Sequence, residues 1–313
     1  MKILFAGTPE IAVPLLRSLA SGFEVCGVLT STDKPEGRSK TPQPSPVKRA
    51  ALELGLPVLQ FDTIKTEARE AVAATGADTL VTFAFGRIFG PRFLALFDRT
   101  FNVHPSALPH LRGPAPVQGQ ILEGLKTCTI SLQSLSLNMD EGDIWATFSF
   151  PLDGTENTES LSEKVARYAS QFVPSALSDI ENGRIRCKAQ EGEASYCTKI
   201  DREMAFLDFN KKASELHALV RAMLPWPKAW ANVHGTTVSI TSVWGGFAEL
   251  EAEPLTDAQP GTVVGLRKDR GIGVACADRV LWINGLQLPT KKELDHRAFV
   301  NGNPWILQEK FNA

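Results

Sequence analysis

Strand-like and helix-like stretches alternate along the first 125 residues, and this alternation constrains the fold more than any other feature of the sequence. The apolar run 2–6 (KILFA) predicts a buried strand, and the periodic apolar residues of 11–19 predict a helix after a Gly-Thr-Pro turn. Parallel strands need a crossover helix between them, so the pattern predicts an α/β domain with a doubly wound, mostly parallel sheet. The pair recurs, with strands at 25–30, 58–60, 79–84 and 100–104 and helices at 47–54, 64–74, 91–96 and 115–125.

The pattern changes beyond residue 125. Two adjacent strands are predicted at 127–136 and 143–150, then one long amphipathic helix at 160–180, and the polar stretch that follows has no clear period. A short helix at 214–223 precedes short alternating segments broken by Gly and Asp, which favour a small OB-like β-barrel. The predicted organisation is a domain at 1–182, a linker at 183–210 and a C-terminal barrel domain at 211–313.

Charge and composition exclude several classes of protein. The 33 basic and 35 acidic side chains give a net charge of −2, which argues against a protein that coats nucleic acid electrostatically. No apolar run approaches the ~20 residues that span a bilayer, and the opening residues lack signal-peptide features, so we expect a cytoplasmic protein with no membrane partner. The 5 cysteines form no CxxC pair and are expected to be reduced thiols.

Asn102 and His104 form a candidate catalytic pair. Residues two apart on a strand project to the same face, so the amide and the imidazole lie side by side while Val103 faces the core. The pair stands at the carboxyl end of a predicted parallel strand, where open α/β sheets bind ligands. An amide donor beside an imidazole suits acyl transfer, because the amide stabilises a developing oxyanion and the imidazole donates or relays a proton. A purely structural role for both residues is the alternative.

The acidic cluster at 140–143 (DEGD) lies between two predicted strands. Two interpretations are open, a solvated tight turn or a carboxylate that orients His104 as the third member of a triad. Spacing alone does not decide between them. The 5 histidines are scattered without the spacing of metal ligands, so no metal site is expected.

A basic stretch between residues 30 and 50 is a candidate phosphate-binding loop. Its 5 basic residues outweigh 2 acidic ones, and its prolines and glycine predict an exposed loop. The alternative is a solvated connection between a strand and a helix.

The segment 102–118 (NVHPSALPHLRGPAPVQ) closely resembles the signature of the folate-dependent formyltransferases, an Asn-x-His followed by Ser-x-Leu-Pro and Arg-Gly. The turn at 140–143 matches the Asp-x-Gly-Asp of that family. Four further segments resemble the branch of the family that formylates methionyl initiator tRNA, so the resemblance covers nearly the whole chain. They are FAGTPE at 5–10, GRSKTPQPSPVK at 37–48, AFGRIFG at 84–90 and LPWPKAW at 224–230.

The resemblance implies a Rossmann-like catalytic domain and an enzyme that moves a formyl group from 10-formyltetrahydrofolate to the α-amine of methionine on initiator tRNA. It implies no metal and no obligate protein partner, and a C-terminal domain that binds tRNA. The family's catalytic residues fall on Asn102, His104 and Asp140. The implied folate-binding residues are Phe85, Gly86, Arg87, Ile88, Ser106, Ala107, Leu108 and Pro109, and the implied tRNA-binding residues are Arg38, Lys40 and Lys48.

Two other functions compete with this interpretation. The first is a formyltransferase that acts on a small amine, such as an amino sugar nucleotide or a purine precursor. The purine enzyme lacks the barrel domain, which makes the amino sugar enzyme the closer rival. The second is a non-catalytic RNA-binding protein with an OB-like barrel, which the balance of 13 basic and 13 acidic residues in 201–313 disfavours.

Overall fold

A computed structural model describes residues 1–35 and 41–312 of the chain, and strands occupy the segments that the apolar runs predict. Two further strands of two residues each lie in the basic stretch and pair with one another. In chain order the strands of this part are β1 (Lys2–Gly7), β2 (Glu24–Thr30), β3 (Lys34–Pro35), β4 (Pro42–Gln43), β5 (Val58–Gln60), β6 (Thr79–Phe83), β7 (Arg99–His104), β8 (Thr127–Ser134) and β9 (Ile144–Pro151).

Within the described residues the main sheet has seven strands in the order β5-β2-β1-β6-β7-β8-β9. β1 pairs in parallel with β2 and with β6, and parallel pairing continues to β5 on one side and to β7 on the other. β8 runs antiparallel to β7. The order confirms the predicted doubly wound, mostly parallel sheet. From β1 the chain adds β2 and β5 on one side of the sheet and then β6 and β7 on the other, so the strand order reverses between β1 and β6. Open α/β sheets bind ligands at such a point, outside the carboxyl ends of the strands.

One helix, α2 (Pro46–Glu53), begins at residues that favour a helix start. α2 follows Ser45, whose hydroxyl accepts the backbone N–H of Lys48 at 3.1 Å, and Pro46 occupies its first turn. Across 1–35 and 41–312, none of the helices has the length and apolar character that a bilayer span requires. The helices are α1 (Val13–Gly22), α2 (Pro46–Glu53), α3 (Thr66–Ala73), α4 (Pro91–Leu94), α5 (Pro116–Leu122), α6 (Thr158–Glu181), α7 (Ala213–Ala222), α8 (Phe247–Ala252) and α9 (His296–Gly302).

Four phenylalanines spaced four residues apart anchor the turn that follows β6. Successive ring centroids from Phe85 to Phe89, Phe93 and Phe97 lie 5.2, 4.5 and 5.7 Å apart. The rings pack into a buried cluster with side chains of β1, β2 and β6, including Leu4, Leu29 and Leu80. Aromatic contacts of this kind stabilise a core beyond what the burial of apolar area contributes. The segment after β6 is therefore held in place by its packing against the core of the sheet.

The C-terminal part of the chain forms a second sheet, and every strand pair in it is antiparallel. The prediction of a separate β domain after the α/β domain is confirmed. Its strands are β10 (Ala229–Val233), β11 (Thr236–Val243), β12 (Val263–Arg267), β13 (Gly271–Ala275), β14 (Val280–Gln287) and β15 (Leu294–Asp295). Among the described residues the strand order is β10-β11-β14-β13-β12, with β15 paired to β14.

The described chain divides into two compact units that alternate along the sequence. The first comprises Met1–Pro116, Thr129–Phe150 and Ser162–Cys197, and the second comprises Val117–Cys128, Pro151–Leu161 and Thr198–Ala313. Residues 183–197, which the sequence analysis assigns to a linker, thus belong to the first unit. A backbone bridge joins Lys188 to Ile144, and another joins Tyr196 to Arg112.

Candidate active site

Asn102 and His104 both lie on β7 and point to one face, while Val103 is buried in the core between them. Asn102 stands opposite Thr82 in the parallel pair of β6 and β7. The Thr82 hydroxyl donates a hydrogen bond of 2.7 Å to Oδ1 of Asn102. This contact fixes the orientation of the amide, because Oδ1 accepts and Nδ2 is left as a donor.

The imidazole of His104 is buried and held at both nitrogens. Nε2 lies 2.9 Å from the carbonyl oxygen of Leu111, and Nδ1 lies 3.4 Å from Oδ1 of Asp140. A carbonyl only accepts, so Nε2 carries a proton. Burial lowers the pKa of His104 below its usual value of 6.5, while the Asp140 carboxylate and the Leu111 carbonyl act in the opposite direction. The neutral ring with its proton on Nε2 is therefore favoured at neutral pH, and Nδ1 is a base that faces a carboxylate.

Asp140 lies in the turn between β8 and β9, and its carboxylate is the centre of the cluster. Oδ1 accepts hydrogen bonds from Nε2 of Gln133 at 2.9 Å and from Nδ2 of Asn102 at 3.3 Å, and Oδ2 accepts the backbone N–H of Gly113 at 2.8 Å. The structure thus brings Asn102, His104 and Asp140 together, and of the two interpretations of the acidic cluster it favours a carboxylate directed at His104.

Gly142 sets the path of this turn. A Cβ atom at position 142 would lie 1.8 Å from the carbonyl oxygen of Ser134, a distance that no side chain tolerates. The backbone of Ser134 also donates to the carbonyl of Asp143 at 2.9 Å. The turn therefore folds tightly back on the end of β8, and this close approach requires glycine.

The sequence does not indicate the contacts that four further residues make with the site. These residues are Thr82, Leu111, Gly113 and Gln133. Leu111 and Gly113 act through backbone groups, which carry no residue-type signal. Thr82 and Gln133 act through side chains, and their only signal is a polar residue on a strand that carries other polar residues as well. Such a signal becomes specific only when the neighbouring strand and its register are known.

The first predicted folate segment, 85–88, exposes mainly backbone and one apolar side chain. Phe85 is buried in the aromatic cluster, and Gly86 is exposed with a φ of +76°. The Arg87 guanidinium donates to the carbonyl of Phe61 at 2.6 Å. Ile88 is 68% exposed, which makes it the apolar side chain of this segment that is free to contact a flat ligand.

The second predicted folate segment, 106–109, is rigid at its base. The buried Ser106 hydroxyl donates to the carbonyl of His110 at 2.6 Å, and the Ser106 carbonyl accepts the Ser131 hydroxyl at the same distance. Ala107 is exposed, Leu108 is half-buried and Pro109 is buried. The segment therefore presents a short, fixed stretch of backbone immediately after the strand that carries His104.

Of the predicted tRNA-binding residues, Arg38 and Lys40 lie outside the described residues. Lys48 is on α2, and its ammonium forms an ion pair of 2.7 Å with Asp33. Asp33 also accepts a hydrogen bond of 2.8 Å from Gln60, and this contact, with the Lys48 ion pair second, lowers the pKa of the Asp33 carboxyl. Within 1–35 and 41–312, no group of three or more His, Cys, Asp or Glu side chains is arranged to hold a metal ion.

Two family models match the chain and together cover most of it. The model described as formyl transferase matches residues 1–177, and the model described as formyl transferase, C-terminal domain, matches residues 199–304.

Curated relatives match the chain along its whole length. The methionyl-tRNA formyltransferase of Treponema denticola is 36% identical over 323 aligned residues, covering 100% of both chains. The methionyl-tRNA formyltransferase of Bacillus subtilis is 35% identical, covering 96% of this chain and 94% of the relative. Among solved structures, an N-formyltransferase of Helicobacter canadensis, in complex with folinic acid and dTDP-3-aminofucose, shares the fold. Its TM-score is 0.64 at 18% identity, covering 90% of this chain and 99% of that one.

Proposed function

Because the chain belongs to the formyl transferase family, we propose that it transfers the formyl group of 10-formyltetrahydrofolate to the α-amine of methionine esterified to initiator tRNA. Relatives of that name match both units at 35% identity or more, whereas the likeness to the amino sugar enzyme, at 18% identity, supports the fold alone. One observation carries the proposal, the convergence of Asn102, His104 and Asp140 beside the carboxyl end of β7.

We assign the stabilisation of the oxyanion mainly to Asn102. The neutral amine attacks the formyl carbon, and the formyl oxygen gains negative charge as the tetrahedral intermediate forms. The Nδ2 group of Asn102 is oriented by Thr82, and its contact with Asp140 is long at 3.3 Å. A long hydrogen bond is readily exchanged for a shorter one to an oxyanion. The direct donor role expected for His104 is less favoured, since the neutral ring carries its one proton on Nε2, and the Leu111 carbonyl already accepts it.

We assign proton transfer to the pair of His104 and Asp140. The attacking nitrogen must lose a proton, and the folate nitrogen that releases the formyl group must gain one. A neutral imidazole whose Nδ1 faces a carboxylate accepts the first proton, and the carboxylate stabilises the imidazolium that results. Return of that proton to the folate nitrogen completes the transfer and restores neutral His104. Burial of the ring supports this assignment, because it lowers the pKa of His104 and leaves the base unprotonated at neutral pH.

We place the pterin of the donor against the segments 85–88 and 106–109, with Ile88 as the apolar contact and the backbone of Ala107 and Leu108 as the polar one, held in place by the buried Ser106 and Pro109 on either side. The acceptor tRNA contacts the basic stretch through Arg38, Lys40 and Lys48, and the domain proposed at 211–313 contributes further contacts. The reaction takes place in the cytoplasm, where charged tRNA is available.

Competition between acceptors tests the proposal. The purified chain is mixed with 10-formyltetrahydrofolate and equal concentrations of initiator methionyl-tRNA and a dTDP-amino sugar, and both products are followed by mass spectrometry. The proposal predicts N-formylmethionine on the tRNA and no formylated sugar. Preferential formylation of the sugar would support the rival enzyme, and no transfer to either acceptor would refute formyl transfer from this donor.

A further inference from the structure

The segment 188–197 runs along both loops that complete the candidate active site. Its first residue, Lys188, exchanges two backbone hydrogen bonds of 2.7 and 2.9 Å with Ile144, just beyond the Asp140 turn. At its other end, the Ser195 carbonyl accepts the backbone N–H of Arg112 at 2.9 Å. This polar segment has no hydrophobic periodicity, yet its backbone is fixed to the α/β unit at both ends.

Gln190 holds the Asp140 turn through its side-chain amide. Nε2 donates two hydrogen bonds of 2.8 Å, one to the carbonyl of Asp140 and one to the carbonyl of Gly142. Oε1 accepts from Nε of Arg112 at 3.1 Å and from a terminal guanidinium nitrogen at 2.8 Å. A guanidinium only donates, so Arg112 fixes which end of the amide faces the turn.

Asp140 needs such support because its backbone is strained. Its φ of +58° lies in the left-handed region, where a residue with a Cβ atom is less stable than in its usual conformations. Strained residues of this kind persist only when their surroundings over-determine them. Gln190 binds the backbone carbonyls of Asp140 and Gly142, which are both part of the turn. The same turn carries the Asp140 carboxylate that faces His104.

Ser195 holds the acceptor of His104 in a similar way. The Ser195 hydroxyl oxygen accepts the backbone N–H of Leu111 at 2.9 Å and lies 2.8 Å from Nδ1 of His110, within hydrogen-bond distance. Leu111 has a φ of +56°, and its carbonyl is the group that receives Nε2–H of His104. A bulky residue in this region is a backbone outlier. Ser195 therefore supports the strained residue on which the tautomer of His104 depends.

We infer that Gln190 and Ser195 are positioning residues for the reaction, Gln190 for the Asp140 carboxylate and Ser195 for the His104 imidazole. The inference rests on the proposed function for the identity of the reaction that is positioned. The 188–197 segment is thus part of the catalytic unit, and it leads directly along the chain into the second unit at Thr198.

The test uses the full chain with three variants. Gln190→Met removes the amide at nearly constant length and without a change of charge, and Ser195→Ala removes one hydroxyl. Gln171→Met is the matched control, because Gln171 is exposed on α6 and touches none of these groups. Two readouts are followed: kcat and KM for donor and tRNA, and the imidazole ¹⁵N resonances of His104, identified by their loss in His104→Ala.

Both test variants are expected to lower kcat by ~10–100-fold with little change in either KM, because a small displacement of catalytic groups impairs the chemical step more than binding. Both are also expected to shift the His104 resonances, and the control changes neither readout. Unchanged kcat together with unchanged resonances would overturn the inference, as would a loss confined to KM. If Gln190→Met fails to fold, Gln190→Glu takes its place with the same two readouts, because it keeps the length of the side chain and removes both N–H donors to the Asp140 turn.

Failure of the proposed function is recognised separately. A wild-type chain that does not formylate methionyl-tRNA refutes that function, whatever the variants do. The resonances of His104 still decide the positioning role in that case, since they report the imidazole environment without turnover.

Discussion

Oδ2 of Asp140 accepts the backbone N–H of Gly113 at 2.8 Å, while Oδ1 of the same carboxylate faces Nδ1 of His104 at 3.4 Å. The two contacts together orient the plane of the carboxylate. The loop after β7 thus supplies the group that fixes Asp140, as well as the Leu111 carbonyl that fixes His104. One loop therefore sets the geometry between the His104 imidazole and the Asp140 carboxylate.

Gly113→Ala is expected to disturb that geometry. Gly113 has a φ of +114°, and a Cβ atom there would lie 2.3 Å from the carbonyl oxygen of Cys197. The loop must shift to relieve this clash, so we expect a loss of ~1–3 kcal/mol in the free energy of unfolding and a fall in kcat. Denaturant titration and steady-state kinetics measure the two effects. Gly22→Ala is the control, since a Cβ at Gly22 meets nothing within 4 Å, and equal behaviour of the two variants would contradict the account.

The buried His217 of the second unit predicts a dependence of stability on pH. Its Nδ1 accepts from Nε of Arg221 at 3.0 Å, and its Nε2 lies 3.0 Å from the carbonyl of Gly245, contacts that the neutral ring satisfies. Burial, with the nearby Arg221 guanidinium second, lowers the pKa of His217 from 6.5 to about 3. Between these two values the unfolded chain binds a proton that the folded chain does not, so stability falls as the pH drops from 6.5 toward 3.

His217→Gln removes this titration, so the free energy of unfolding of the variant should fall less steeply below pH 6.5 than that of the wild type. Denaturant titrations at a series of pH values from neutral to acidic measure the slopes. The exposed His234→Gln controls for the loss of a histidine as such. A wild type and a His217→Gln variant with parallel slopes would show that His217 does not contribute.

The basic stretch predicts an order of effects on tRNA use. Arg38→Ala is expected to lower kcat/KM for methionyl-tRNA, because a charge-assisted contact to a phosphate is lost. The fall corresponds to a loss of ~1–3 kcal/mol in transition-state stabilisation. Lys48→Ala is expected to lower kcat/KM for methionyl-tRNA by a smaller factor, because the Lys48 ammonium is already paired with Asp33 at 2.7 Å. Kinetics at several salt concentrations measure both, with Arg69→Ala on α3 as the control. An equal effect of Arg38→Ala on the KM of the folate donor would contradict the assignment of this stretch to tRNA.

The sequence predicts the parallel sheet and the position of Asn102 and His104 well, because strand alternation and the end of a strand are local signals. It leaves the role of Asp140 open, because the contact with His104 depends on β8 lying antiparallel beside β7, and no local pattern encodes that pairing. The roles of Leu111 and Gly113 are also hidden, since their contributions come from backbone groups.

Residues 188–197 show a different limit. Their polar composition is typical of a linker, and helical or strand periodicity is absent. Their attachment to the first unit comes from backbone hydrogen bonds of Lys188 and Ser195 and from side-chain hydrogen bonds of Gln190 and Ser195, and all of these partners are distant in sequence. The alternation of the two units along the chain is hidden for a similar reason, because periodicity finds elements but not the packing that groups them.

The central claim is that Asp140 acts with His104 in formyl transfer to methionyl-tRNA. Its most direct test is the single-turnover rate of N-formylmethionine formation by the wild type, by Asp140→Asn and by Asp98→Asn, a matched change at an exposed position of the same unit. We predict that Asp140→Asn is at least ~100-fold slower under saturating substrates, because the imidazolium loses its stabilising carboxylate, and that Asp98→Asn matches the wild type. An Asp140→Asn variant that retains most of the wild-type rate would contradict the account.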